Sequence, residues 1–310
     1  MILVAGGTGT LGTRLVGLLA ERGEQVRVLT RDRARAARLD TRAAIAEGDT
    51  GNPESLRRAA TGTRTVISAI HGFAGTPGAS PASVDRDGNR NLIRAALAAG
   101  ARHMILISVR DASPGHPMAL MRMKYAAEQE LIASGLTWTI LRPSAYIETW
   151  CEVLGRPLLE KGKGTVFGRG RNPVNWVSAW DVAQFADLAV TDPALRGGVI
   201  EVGGPDNLTM TEFIRAFQLG TGANGKIRRI PRPLLRAGAA LARPVSPAIA
   251  RQIQAGLIMD TRPQAFDAMA VRRRYPAIPV TSLADVLRRD FAGPVPARGC
   301  GEKAVSPAEE

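Results

Sequence analysis

Two short stretches of this sequence hold residues whose type and spacing could do chemistry. The first is Ile2-Leu-Val-Ala-Gly6-Gly7-Thr8-Gly9-Thr10-Leu11-Gly12, an apolar run that breaks into glycines and then into a helical pattern. Glycines there permit a tight turn and close backbone approach. The helix start that follows offers unpaired N–H groups and a positive dipole end to a diphosphate. Both spacings of a dinucleotide fingerprint fit, Gly7-Gly9-Gly12 and Gly6-Gly9-Gly12. Gly6, Thr8, Gly9, Thr10, Leu11 and Gly12 are therefore candidate cofactor contacts. The second stretch is Ala119-Leu-Met-Arg-Met-Lys124-Tyr-Ala-Ala-Glu-Gln-Glu-Leu131, a helical segment with one lysine among methionines and no acid beside it. Such a lysine is a solvated charge, a cofactor clamp or a proton donor. Met121, Met123 and Leu131 favour burial, and a desolvated ammonium releases its proton more readily.

The nature of the dinucleotide turns on the end of the second strand, where a carboxylate would take a ribose 2′-hydroxyl and an arginine would take a 2′-phosphate. The sequence there is Val28-Leu29-Thr30-Arg31-Asp32-Arg33. Arg31 and Arg33 favour NADP over NAD by charge, and Asp32 points the other way. Gly48-Asp49-Thr50 follows the third strand and Ala69-Ile70-His71-Gly72 the fourth, both where strand ends face a ligand crevice. Asp49, Thr50, Ala69, Ile70 and His71 are thus further candidate contacts, although a lone histidine is more often structural.

The elements that must position these groups alternate. Strands are expected at 2–5, 25–29, 43–46, 65–69, 103–108 and 137–141, with helices at 11–22, 53–59 and 84–99 and a helix through Lys124 ending at Gly135. That alternation implies an α/β fold with a parallel sheet. Beyond residue 145 the regularity loosens. A basic loop with Gly162, Gly164, Gly168 and Gly170 is followed by expected helices at 179–190, 210–219, 234–242, 247–258 and 282–291 and a strand near 199–202. The organisation expected is a nucleotide-binding domain over 1–145, a smaller lobe over 146–291 partly interleaved with it, and a disordered polar tail over 292–310.

Composition excludes several classes. The 310 residues carry a formal charge of +13, from 41 basic residues that are mostly arginine and scattered along the chain. Such a surface attracts anions, phosphorylated cofactors, acidic lipids or nucleic acid without specificity, and no motif for specific nucleic-acid recognition is present. Two cysteines, Cys151 and Cys300, without a C-x-x-C, argue against a disulfide framework and for a reducing, cytoplasmic setting. The chain enters a strand at Met1-Ile-Leu-Val with no charged leader, and no run of 18 apolar residues follows, so neither export nor a membrane span is expected. His71, His103 and His116 are dispersed and no metal-ligand spacing is seen. Monomer and homodimer both remain open.

Taken in succession, Gly6-Gly7-Thr8-Gly9-Thr10-Leu11-Gly12, Arg31, Gly48-Asp49, Asp85-x-x-Gly88-Asn89-x-Asn91-Leu92, a strand ending in Ser108, Lys124 with Ala127-Glu128, and Ser134-Gly-Leu-Thr-Trp-Thr-Ile-Leu-Arg142-Pro143 resemble the NmrA-like atypical short-chain dehydrogenases. The likeness covers about residues 1–145 and thins beyond, where Val177-Ser-Ala-Trp-Asp181 and Gly203-Gly-Pro-Asp-Asn-Leu-Thr-Met-Thr-Glu212 still match. It implies a Rossmann-like doubly wound sheet with a small C-terminal substrate-binding lobe over the nicotinamide. It also implies that Ser108 and Lys124 occupy the serine and lysine positions of a catalytic set whose tyrosine position is here Leu120. Tyr125 points about 100° away from Lys124 and cannot substitute.

By this likeness Lys124 meets ribose and nicotinamide, and acts as the acid itself or through a water. Pro143 and Tyr146 lie where the family's backbone meets the carboxamide, and Tyr146 becomes the alternative donor. Trp150, Trp176 and Trp180 either line an aromatic pocket or pack a core. Two functions are compatible: an NADPH-dependent reductase of a small conjugated carbonyl, imine or quinone, and an NAD(P)-sensing regulatory protein without turnover.

Overall fold

The computed structural model of the chain describes residues 1–37, 39, 42–73 and 78–291; the tail expected at 292–310 lies outside the described residues. Twelve strands are present among them: β1 (Ile2–Ala5), β2 (Val26–Thr30), β3 (Ala44–Glu47), β4 (Thr65–Ser68), β5 (His103–Ile107), β6 (Thr137–Pro143), β7 (Ala145–Tyr146), β8 (Lys163–Phe167), β9 (Pro173–Val177), β10 (Gly198–Val202), β11 (Asp206–Thr209) and β12 (Lys226–Ile230). Seven form the main sheet in the order β3-β2-β1-β4-β5-β6-β10, and every neighbouring pair is parallel. β1, β4 and β5 are buried along their whole length. This is why they read in sequence as unbroken apolar runs, since helices cover both faces of a parallel sheet.

One face is covered by the helices Thr10–Glu21 and Ala179–Thr191, whose Leu15, Val16, Leu19, Val182 and Phe185 pack on Ile2, Val4 and Ile105. The other is covered by Pro53–Ala60, Asn89–Ala98 and Ala119–Ile132, through Leu56, Leu92, Ile93 and Leu131. The sheet is thus doubly wound, of the Rossmann type. From β1 the chain winds outward to β2 and β3, then crosses back to β4 on the other side of β1. The connections leaving β1 and β4 run to opposite sides of the sheet, the switch point at which such folds hold a ligand outside the strand ends.

Local signals explain the element ends. Asn52 caps the helix at Pro53 by accepting from Glu54 N and Ser55 N. The fourth-strand crossover starts earlier than its apolar period suggests, at Pro81 rather than Val84. A reciprocal Ser80–Ser83 cap opens a wide π-helical stretch, Pro81–Gly88, that runs into Asn89–Ala98.

The chain does not leave the main sheet at residue 145. Ala179–Thr191 and β10 return to it, while residues 145–177 and 206–291 build the lobe from the sheets β11-β9-β7 and β12-β8 and from helices that include Met210–Thr221, Arg232–Val245, Pro247–Thr261 and Leu283–Asp290. Trp176 is buried at the lobe's centre, its ring 4.5 Å from Phe213 and 5.8 Å from Trp150, with its N–H donated to Leu208 O. Trp180 lies between the guanidinium groups of Arg14 and Arg289, at 5.5 and 4.9 Å. These three tryptophans pack the lobe and its seam with the sheet, not an aromatic pocket. Arg272, buried against Asp181 at 2.6 Å and donating to Gly203 O, ties the lobe to the end of β10.

Candidate functional site

The crevice begins at the glycine loop. Gly6 adopts φ +84°, and a Cβ there would fall 2.6 Å from Ala69 O at the end of β4. A Cβ on Gly12 would fall 2.1 Å from Gly6 O, and one on Gly7 would fall 2.8 Å from a Val28 methyl. The loop therefore folds back against the first turn of the Thr10–Glu21 helix, between β2 and β4, at a closeness only glycine allows. Gly9 stands at the N-cap without a side-chain cap, and the first turn holds no acid. The helix amides and dipole consequently face the crevice unquenched. Thr8, Gly9 and Thr10 reach its surface, while the Leu11 side chain packs in the core and leaves only its amide for a ligand. This cradle fits the diphosphate of a dinucleotide.

At the next strand end, Asp32 does not compete for a ribose. Its carboxylate caps the short helix Arg33–Ala36, accepting from Ala34 N and Arg35 N, while Thr30 Oγ accepts from Asp32 N. The sequence carried that signal, because an aspartate ahead of four helix formers is an N-cap pattern. Arg31 is exposed, with its Nε 3.7 Å from the half-exposed carboxylate of Asp49. Asp49 also accepts from Gly51 N, and Thr50 O accepts from Asn91 Nδ2. The Asp85-x-x-Gly88-Asn89-x-Asn91 segment thus has a mechanical role along the crevice. Asn91 holds the third-strand loop, a Cβ on Gly88 would press on Thr50 at 2.9 Å, and Asn89 accepts from Ser68 Oγ at the end of β4.

Lys124 is not the isolated charge the sequence suggests. The side chain is only 5% exposed, and its Nζ lies 3.2 Å from Oδ1 of the fully buried Asp85. It donates to Ile70 O at 2.8 Å and to Ile107 O at 2.9 Å. Two carbonyls thus take two of the ammonium N–H bonds, and the Asp85 carboxylate stands at ion-pair distance, its Oδ1 accepting no hydrogen bond. Lys124 ties the ends of β4 and β5 to the π-helical stretch. Asp85 Oδ2 in turn accepts from Gly72 N. The two residues grip the backbone on either side of His71, one at Ile70 and one at Gly72, while the His71 ring opens to the crevice. The imidazole pKa is lowered, first by the surrounding protein and then by Lys124, with Asp85 opposing.

The other two expected proton donors are engaged or enclosed. Ser108 Oγ, 5% exposed as a residue, donates to Glu128, one helical turn past Lys124; Glu128 is buried and takes Arg142 Nε at 2.9 Å. Tyr146 packs against the core of the main sheet, and its hydroxyl is buried with no partner. Its pKa is pushed well above the usual tyrosine value by burial and then by Glu148. Pro143 O accepts from Arg110 N. Sequence reasoning passed over the roles of Asp85 and Glu128, although both stand inside the quoted motifs.

Beside His71 and the first turns of the Lys124 helix lies an apolar wall. Met118, Ala255 and Ile258 are buried together, with Phe73 and Met121 against them and Leu120 half-buried nearby in the chain. Arg251 fastens the Pro247–Thr261 helix over this corner by donating to Phe73 O and Ala79 O. Among the described residues, no cluster of three His, Cys, Asp or Glu could hold a metal ion, and no helix is long and apolar enough to cross a membrane.

Known proteins resemble this chain in sequence and in fold. Residues 6–193 match the model of a family described as NAD(P)H-binding. An NAD(P)H azoreductase of Xenophilus azovorans is 32% identical over 223 residues, 72% of this chain and 74% of the relative. The photosystem II assembly factor Ycf39 of Synechocystis is 31% identical over 237 residues, 76% of this chain and 72% of that protein. Among solved structures, an NADPH-dependent quinone oxidoreductase from Escherichia coli complexed with NADPH superposes with TM-score 0.74 at 22% identity, covering 93% of this chain and 99% of the other. The Citrobacter triphenylmethane reductase complexed with NADP(H) superposes with TM-score 0.75 at 19% identity and the same coverage.

Proposed function

This chain belongs to the NAD(P)H-binding family, and from that premise we propose that it is an NADPH-dependent reductase of small, flat, conjugated acceptors, quinones foremost. The observation that carries the proposal is the withdrawal of every expected acid from the crevice: Leu120 stands at the tyrosine position, Ser108 donates to Glu128, the Tyr146 hydroxyl is enclosed, and the Lys124 ammonium is surrounded by Ile70 O, Ile107 O and Asp85. A quinone needs little acid help, because its reduced oxyanion is delocalised and takes its proton from water. The half-buried Phe73 and Met121, backed by the buried Met118 and Ile258, offer such a ring an apolar face.

Bound NADPH supplies the hydride. The amides of Thr10 to Gly12 would hold the diphosphate, and Arg31, at the end of β2 beside Asp49, would meet a 2′-phosphate, with Asp32 engaged in capping the next helix. The buried charge of Lys124 steadies the ends of β4 and β5, which would carry the nicotinamide half, and the exposed His71, its pKa lowered by its surroundings, would stand beside the acceptor. A second reading, a cofactor-sensing assembly or regulatory protein without turnover, draws support from the Ycf39 relative and from the same lack of an acid.

The test mixes purified protein with NADPH or NADH and a panel of quinones, enones and azo dyes, following cofactor absorbance. Sustained NADPH oxidation by quinones, with Arg31→Ala weakening NADPH about tenfold and NADH little, supports the reductase. Calorimetric binding of NADPH with no acceptor turned over favours the sensor. No binding of either cofactor overturns both.

A further inference from the structure

The helices Arg232–Val245 and Pro247–Thr261 form a hairpin on the lobe, joined at Ser246. Its inner side is fastened: Leu235 and Ala250 are buried, Arg232 Nε meets Asp260 at 2.6 Å, and Ile258 belongs to the apolar wall of the crevice. Its outer side is not. Leu234 is 62% exposed, Leu241 76%, Val245 87% and Ile249, just past the turn, 51%. At 100° per residue Leu234, Leu241 and Val245 lie within about 40° of one another on the first helix. The exposed Pro233, Ala237, Ala240 and Pro244 continue the apolar arc, and Arg236 and Arg243 stand at its far edge. From Lys226 to Met259 the chain carries seven basic residues and no acidic one; Arg232 is paired inward with Asp260 and Arg251 is bonded inward to Phe73 O and Ala79 O, which leaves five exposed.

We propose that this outer face docks the protein on anionic membrane surfaces, lying in the interface without crossing it. The chemistry is that of an interfacial helix: an exposed aliphatic arc, basic residues at its margin, and long arginine side chains able to bury their methylenes while the guanidinium reaches lipid phosphate. A stable protein interface would be expected to centre on aromatic anchors, and this arc has none; its side chains are aliphatic, which suits acyl chains. β12, with Lys226, Arg228 and Arg229 exposed, leads directly into the hairpin and extends the basic margin. The proposal does not depend on the reductase reading.

Flotation of the full chain with vesicles of phosphatidylcholine alone, or with about one third phosphatidylglycerol, tests it. The wild type should float with the anionic vesicles and not with the neutral ones. The double variant Leu241→Glu, Val245→Glu should lose at least about tenfold in bound fraction, with its melting curve and NADPH affinity unchanged because both sites are solvent-exposed. Equal flotation of variant and wild type would reduce the effect to the general basic charge of the surface and overturn the proposal. Failure of the wild type to float overturns it as well. A wild-type dimer in sedimentation equilibrium that the double variant dissociates would assign the face to a second copy of the chain instead.

Discussion

Replacing Lys124 with methionine separates a structural from a chemical role for this residue. Methionine keeps the length of the stem and removes the charge. The fully buried Asp85 would then retain Gly72 N–H and lose its counter-ion, and Ile70 O and Ile107 O would lose their shared donor. Removing one partner of a buried ion pair costs about 3 to 5 kcal/mol, and orphaned carbonyls add to that. We expect Lys124→Met to destabilise the protein by about 4 kcal/mol, roughly a thousandfold in the unfolding equilibrium. Asp85→Asn should cost about 3 kcal/mol, leaving the ammonium with two carbonyls and a neutral amide. If the pair is one unit, the double variant should be little worse than Lys124→Met, a coupling of about 3 kcal/mol. Urea unfolding of the four proteins, followed by far-ultraviolet circular dichroism and tryptophan fluorescence, measures the cycle. Additivity to within about 0.5 kcal/mol would refute the paired strut. So would a Lys124→Met protein of wild-type stability whose turnover has vanished, since that outcome makes the lysine a chemical group.

Three further outcomes are expected. Gly12→Ala places a methyl 2.1 Å from Gly6 O, against backbone that cannot rotate away, so NADPH affinity by calorimetry should fall at least about tenfold; an unchanged affinity would place the diphosphate elsewhere. Tyr146→Phe removes a buried hydroxyl that has no partner, so stability should hold or rise by about 1 kcal/mol and quinone turnover should persist; a hundredfold fall in kcat would restore Tyr146 as the proton donor. His103 is 5% exposed, its pKa lowered to about 4 by burial and then by Arg196, with Nε2 against Thr139 Oγ. Because the folded value lies below the unfolded one near 6.5, the unfolded chain binds the proton first. Its contribution, about 3 kcal/mol at most, is full above pH 6.5 and drains away as the pH falls toward 4. His103→Gln should flatten that limb of a urea-stability profile, and an unaltered slope would mean that other groups set it.

Much of the main sheet was legible because its physics is local. β1, β4 and β5 are covered on both faces, so each is a short, mostly apolar run, and the expected limits fall within a residue or two of those seen. The lobe strands β8, β9, β11 and β12 were passed over. Lys226-Ile-Arg-Arg-Ile230 and Asp206-Asn-Leu-Thr209 lie in sheets of two and three strands, expose much of their length, and show neither alternation nor a continuous apolar run. The glycine loop announced itself by spacing. The partners of Lys124 did not, because Asp85, Ile70 and Ile107 reach it only through successive crossovers, and a sequence does not display which strand ends become neighbours. Ser108 was recognisable as a position, yet its bond to Glu128 is a tertiary fact that changes what the hydroxyl is free to do.

The late arrival of β10 in the main sheet bears on how the molecule is made. During synthesis the first six strands emerge with the outer edge of β6 open and with the sheet face that Ala179–Thr191 will cover still bare. An open strand edge beside an apolar face recruits other chains. Until residue 202 is clear, the nascent chain therefore presents a surface that favours association with other chains. A fragment ended at residue 145 would carry that open edge permanently.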